Sequence, residues 1–201
     1  MEILDLTIYS YEKGKNVLEK RDTNSLKEHG QFLTPPTVAR YMAIQLGEIK
    51  NGNILLEPAC GSGVLVCAVI ERLIAENNPL EIWVNAYETD KELAELSRQI
   101  FEIASQKANR FKIKVHWQVF QEDFVLACLP DEQPSLFDSS ETHHKTYNFV
   151  ISNPPYFKLN TEDKRVKAAS GKLNGQTNIY TLFMALSAKL LSPKGKACFI
   201  V

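Results

Sequence analysis

Short apolar runs alternating with helical periodicity constrain this chain more than any other feature. Asn53-Ile54-Leu55-Leu56-Glu57 reads as a short buried strand, and Ile82 to Glu88, Lys112 to Val119, Tyr147 to Ser152 and Ala197 to Val201 read as four more. Between them, Val64 to Glu76 is an apolar helix and Asp90 caps a helix through about Gln106. Asn178 opens an amphipathic helix to about Leu191, with Ile179, Leu182, Phe183, Leu186 and Leu190 on one face. This alternation predicts an α/β doubly wound sheet, with ligands outside the C-terminal ends of the strands. With 201 residues, 44% hydrophobic and 23% charged, the chain supports one sizeable core.

No apolar run approaches the roughly 18 residues of a membrane span, and the N-terminus lacks the layout of a secretory signal. A cytoplasmic address and no membrane partner are therefore expected. The net charge of −1 gives no global electrostatic case for nucleic acid, so any such affinity must be local. Cys60, Cys67, Cys128 and Cys198 form no C-x-x-C pair and read as buried free thiols. His143-His144 lies in a polar stretch without partners at ligand spacing, so no metal site is expected.

Residues 1–29 read as an N-terminal arm or helix, the helical part falling between Asn16 and Lys27. Thr34 and the prolines after it make a helix start, followed by Val38, Tyr41, Met42, Gln45 and Ile49 at helical spacing. Leu129 to Thr146 and Lys158 to Thr177 are long polar loops without a pattern of their own. The second carries Lys158, Lys164, Arg165, Lys167 and Lys172. It is either a surface for phosphates or a solvated loop.

Asn153-Pro154-Pro155-Tyr156 stops the fourth strand. Neither proline has an N–H to donate, so the stretch can continue as neither helix nor sheet. What remains is a rigid loop holding an amide, a carbonyl and an aromatic ring. That set suits a planar amino group, because the Asn153 oxygen and the Pro154 carbonyl can each accept one of its hydrogens while Tyr156 stacks on the ring. A proline-rich turn with an Asx cap is the other reading.

Glu57-Pro58-Ala59-Cys60-Gly61-Ser62-Gly63 runs from a strand into a helix, and its glycines allow a tight turn and close approach of a ligand. It lacks the third glycine of the dinucleotide fingerprint. Glu57 repels an anion and favours a cationic ligand such as S-adenosylmethionine, which has a sulfonium and no phosphate. Glu88, a little over twenty residues on, is placed to accept ribose hydroxyls or simply to cap its strand. Asp123 with Phe124 could bond an adenine amino group and pack on its ring.

Phe32-Leu33-Thr34-Pro35, Glu57 to Gly63, Asp123-Phe124 and Asn153 to Tyr156, in this order, resemble the N6-adenine DNA methyltransferases of the gamma arrangement, found in restriction–modification enzymes. Tyr180-x-x-Phe183 and Leu190-Leu191-x-Pro193-x-Gly195 match later elements of that family. The resemblance implies a class I S-adenosylmethionine-dependent methyltransferase (Rossmann-like) sheet over residues 30–201, cut after its fifth strand. The family's C-terminal hairpin and target-recognition domain are expected beyond Val201. Thr34 and the backbone near Cys60 would contact the methionine part of the cofactor, with Glu57, Pro58, Ala59, Gly61 and Gly63 bordering that end. Glu88 would take the ribose, and Asp123, Phe124 and Phe183 would surround the adenine. Asn153, Pro154, Pro155 and Tyr156 would hold the target base, flipped from double-stranded DNA. A restriction endonuclease in the same parent protein or system is the implied partner. Two rival readings are a protein glutamine N5-methyltransferase, whose carboxamide substrate also suits N-P-P-Y, and a non-catalytic cofactor-binding fragment.

Overall fold

The computed structural model describes residues 4–21, 32–128, 146–169 and 178–201. Its elements run α1 (Leu6–Leu18), α2 (Pro36–Gln45), β1 (Ile54–Glu57), α3 (Val64–Glu76), β2 (Leu80–Tyr87), α4 (Lys91–Asn109), β3 (Ile113–Phe120), α5 (Phe124–Cys128), β4 (Tyr147–Ser152), α6 (Lys164–Ala169), α7 (Ile179–Leu190) and β5 (Leu191–Phe199). The five strands are parallel and stand in the order β3-β2-β1-β4-β5. The direction of winding reverses between β1 and β4, so the crevice for a ligand falls at their C-terminal ends. Register there is Leu55 against Phe149 and Leu56 against Val150.

Alternation along the strands builds two cores. Leu55, Ile82, Val84, Phe149 and Ile151 enter the larger, under α1 to α4, whereas Leu56 and Val150 enter the smaller, under α5 and α7. The expected α/β doubly wound sheet is the one observed.

Four local expectations change. The N-terminal helix spans Leu6–Leu18, ahead of the expected Asn16–Lys27, of which residues 22–27 lie outside the described residues. Asp5 caps it by accepting from the Ile8 amide at 2.9 Å, and its small residues Ser10 and Gly14 let it lie flat on the glycine turn. On α2 the buried face is Ala39, Met42 and Ala43, while Val38, Tyr41 and Gln45 are exposed. A short helix, α6, sits inside what reads as an unpatterned loop. Pro193-Lys194-Gly195 is a bulge inside β5 rather than a turn before it, since two residues along β4 (Tyr147 to Phe149) span five along β5 (Leu191 to Lys196). The four cysteines are free, Cys60 and Cys67 buried, Cys128 and Cys198 half-buried. His143-His144 lies outside the described residues.

Candidate active site

The C-terminal ends of β1, β2, β3 and β4 surround a cavity of about 380 Å³. That is within the roughly 300–1,000 Å³ of sites for compact organic ligands. Pro58, Ala59 and Gly61 supply its backbone wall, Glu88 and Glu122 its acids, and Asn153 and Pro155 its far rim. A recess of about 30 Å³ beside it is lined by Thr34 and Cys60, and shares Phe32, Leu33, Ala59, Gly61 and Asn153 with the larger space.

The glycine turn is held from three sides. Gly61 (φ +54°) and Gly63 (φ +89°) occupy the left-handed region. A Cβ on Gly63 would stand 2.4 Å from the Phe101 ring of α4, so only glycine allows this approach. The Cys60 amide donates to the Tyr87 carbonyl at 2.9 Å, fastening the turn to the end of β2. From below, Ser10 of α1 donates to the Ser62 carbonyl at 2.8 Å. Glu71 of α3 in turn anchors α1, accepting from the Leu6 amide and the Thr7 hydroxyl at 2.6 Å each.

Glu88 bridges the turn and the next helix. One oxygen accepts from the Gly61 amide and the other from the Asp90 amide, each at 2.8 Å. The Thr89 amide acts on Glu88 as well, and a carboxylate's four lone-pair sites still leave acceptor capacity. Burial pushes the Glu88 carboxyl above its usual range, and the Asp90 and Gly61 amides oppose the shift. Asp90 caps α4 through the Leu93 amide at 3.0 Å and takes a two-pronged contact from Arg21 at 2.6 and 2.9 Å. Burial works against ionised Asp90, yet the Arg21 fork and the Leu93 amide hold its carboxyl below the usual range.

Glu57 ends β1 beneath the cavity floor and is 1% exposed. Among the described residues neither of its oxygens has a hydrogen bond of full geometry, although Ser152 and the Ala59 amide act on it. Burial drives its carboxyl well above the usual range and Glu88 adds to this, while Ser152 and the Ala59 amide act the other way.

The Asn153 amide is held at both ends. Its Nδ2 donates to the Phe32 carbonyl at 3.1 Å, and its Oδ1 lies 2.9 Å from the Tyr156 hydroxyl. That hydroxyl is also 2.7 Å from the Ile200 carbonyl and has a single proton for two acceptors. The Tyr156 ring is tilted by 40° against Tyr180 at 6.3 Å.

Not every expected residue meets the cavity. Asp123 does not line it: one oxygen accepts from the Leu126 amide at 3.1 Å and caps α5, and the other lies 3.5 Å from Arg165. Its neighbours Glu122 and Phe124 take the wall. Phe183 stands behind Phe124, ring centroids 5.3 Å apart, and shapes the wall indirectly. Pro154 is buried. Leu33 comes with the Phe32-Leu33-Thr34-Pro35 element, whereas Leu18, Thr89, Leu93, Phe157 and Arg165 line the cavity without a sequence motif to announce them. Their places follow from which elements converge, which no local pattern carries.

Known proteins share the fold and, in part, the sequence of this chain. A putative class I S-adenosylmethionine-dependent methyltransferase from Listeria monocytogenes superposes with a TM-score of 0.56 at 19% identity, over 98% of this chain and 56% of that one. The modification subunit of a putative type I restriction enzyme from Vibrio vulnificus YJ016 superposes at 0.63 with 17% identity, over 94% of this chain and 37% of that one. The class I methyltransferase fold is thereby established. Residues 62–201 match the family described as Eco57I restriction-modification methylase, to which this chain belongs. Among curated relatives, Type II methyltransferase M.BsuBI of Bacillus subtilis is 29% identical over 180 residues, 87% of this chain and 34% of that protein. Type II methyltransferase M.AccI of Acinetobacter calcoaceticus is 30% identical over 181 residues, 87% of this chain and 28% of that protein. The chain spans about a third of the length of these relatives.

Proposed function

We propose that residues 30–201, backed by α1, are the catalytic part of a DNA (adenine-N6)-methyltransferase of a restriction–modification system. It transfers a methyl group from S-adenosylmethionine to an adenine flipped out of double-stranded DNA. One observation carries this reading: the Asn153 amide, clamped at both ends, opens onto the same cavity as Glu88 and the glycine turn.

The residues fit an adenosyl cofactor that bears positive charge and no phosphate. Glu57 is buried with no counter-charge among the described residues, Glu88 keeps acceptor capacity at the cavity edge, and Gly61 adds no side chain where a ligand approaches. A buried acid of this kind is costly to ionise unless a cation arrives beside it. Gly61, Cys60 and Thr34 would border the methionine part, Glu88 the ribose, and Phe124 the adenine, with Phe183 supporting Phe124. The bound cofactor supplies an electrophilic methyl group on its sulfonium.

The chain's own residues prepare the acceptor. Adenine N6 is a poor nucleophile because its lone pair is delocalised into the ring. Asn153 Oδ1, through its second lone pair, and the Pro154 carbonyl would accept both amino hydrogens and favour the charge that develops on nitrogen. The Phe32 carbonyl fixes which end of the amide faces inward. Alignment of donor and acceptor supplies about 7–11 kcal/mol of the acceleration available to such reactions. Flipping the base costs a few kcal/mol. Stacking on Tyr156 returns about 1–3 kcal/mol of it. A DNA substrate accords with a cytoplasmic address and with a restriction endonuclease in the same protein or system.

The test is transfer of labelled methyl groups from S-adenosylmethionine to duplex DNA by the full protein, followed by nucleoside analysis. N6-methyladenine in the product is the expected result. Label found in glutamine residues of added protein, or in cytosine, overturns the assignment.

A further inference from the structure

The cavity's wall next to Phe124 and Phe157 is completed by Arg165, which the N-P-P-Y loop and α6 bring back over it. Among the described residues lining the cavity it is the one cation, alongside the acids Glu88 and Glu122. Its guanidinium lies over the Phe157 ring, 5.3 Å from the centroid. Two carboxylates hold it from outside. Asp163 accepts from Nε at 2.9 Å and from a terminal nitrogen at 2.6 Å, and Asp123 stands 3.5 Å from the other terminal nitrogen. A guanidinium has five N–H donors; Asp163 takes two by hydrogen bond and Asp123 acts by charge, so three remain after the contacts with these described residues. Stacked and forked in this way, its plane is fixed before any ligand arrives.

Asp123 therefore meets the cavity through Arg165 instead of directly. Resting on the reading above, we propose that Arg165 is a cofactor-binding residue at the adenine end of the cavity, and that Asp123 and Asp163 act through it as positioning residues. The spare N–H groups suit the ring-nitrogen acceptors of a purine. A guanidinium over Phe157, in a cavity also lined by Phe124, suits its flat face as well. An arginine serving only to tie its own turn would be satisfied by Asp163 alone. It would need neither Asp123 on a different element nor a place on the cavity surface.

Calorimetric titration of the full protein with three ligands tests this: S-adenosylmethionine, S-adenosylhomocysteine and 5′-methylthioadenosine. The first carries the sulfonium, the first two the amino-acid part, and all three the adenine. Arg165→Ala should weaken all three by the same factor, about tenfold. Arg165→Lys, which keeps the charge but not the planar fork, should lose most of that too. Asp123→Asn should cost several-fold alone and nothing further in the Arg165→Ala background.

Unchanged affinities in a folded Arg165→Ala protein overturn the proposal. A loss confined to the two ligands with a carboxylate overturns it as well, placing Arg165 at the methionine end. Opposite changes for the sulfonium and the thioether would reduce Arg165 to a distant charge. A folded wild-type protein that binds none of the three removes the methyltransferase reading along with this one. Binding that is lost in Glu88→Ala and untouched in Arg165→Ala removes this inference alone.

Discussion

The glycine turn and the N-P-P-Y loop face each other across one cavity, yet they are held by different means. What is held in the turn is its backbone: left-handed glycines against Phe101, the Cys60 amide fastened to the end of β2, and the Gly61 amide and Ser62 carbonyl bonded by Glu88 and Ser10. The loop is fixed by side chains, with the Asn153 amide and the Tyr156 hydroxyl spanning Phe32 and Ile200. Backbone restraint cannot be altered without moving the chain, whereas a side-chain bond can be exchanged for a ligand's at little cost. On the proposed function, the first wall receives the cofactor and gains from rigidity, and the second receives the flipped base and gains from bonds that can be traded.

The largest expected effect would separate the two walls. Asn153→Ala should lower the rate of methyl transfer by at least about 10²–10³-fold, the range for removing one aimed polar group. Affinity for S-adenosylmethionine should stay within about threefold. Parallel loss of both in a folded variant would show that the walls are not separable.

Gly63→Ala attacks the other side. The added methyl meets Phe101 at 2.4 Å with φ at +89°, so a destabilisation of about 2–4 kcal/mol is expected in denaturant titration. Combining it with Phe101→Leu should recover part of this, and no recovery would mean that backbone strain dominates.

Glu57 tests the pH dependence. Its folded-state carboxyl titrates well above the unfolded one. The native state therefore holds a proton that the unfolded chain has lost. Stability should fall as pH rises from the ordinary carboxylate pKa of about 4.3 towards the folded value. Glu57→Gln should flatten that slope, make the ligand-free protein more stable at neutral pH and weaken cofactor affinity. Melting curves from pH 4 to 8 with and without the substitution check the sign.

Arg21→Ala should be the smallest change. Its fork to Asp90 is near the surface, so about 0.5–1 kcal/mol is expected. Asp90 is held below its unfolded pKa, so this contribution is present above the ordinary carboxylate range and disappears as pH falls through the folded value. A difference between variant and wild type that survives at low pH would contradict this sign.

Much of the sheet was legible because alternation and turn chemistry are local: β1, β3, β4 and the strand-to-helix turn at Glu57–Gly63 lie where the apolar runs and glycines place them. The edges were not. β5 carries a bulge because it must re-register on β4, and α6 forms from a polar stretch whose helical turns depend on Asp163 and the packing of Ala169. At the site, Asn153, Glu88 and Gly61 could be named from spacing. Arg165, Phe157 and Leu18 could not, since each reaches the cavity from an element with no motif of its own.

By itself, then, the sequence determined the α/β class, the two turns that face each other and the type of chemistry their side chains suit. Each of these depends on residues close together in the chain, where periodicity and φ restriction act. Only the tertiary structure decided that α1 supports the glycine turn, that Asp123 stands behind Arg165, and that one amide is clamped between Phe32 and Tyr156. Apart from the local bond between Asn153 and Tyr156, those relations join residues 42 to 121 positions apart. They arise from packing of whole elements, which no short window of sequence encodes.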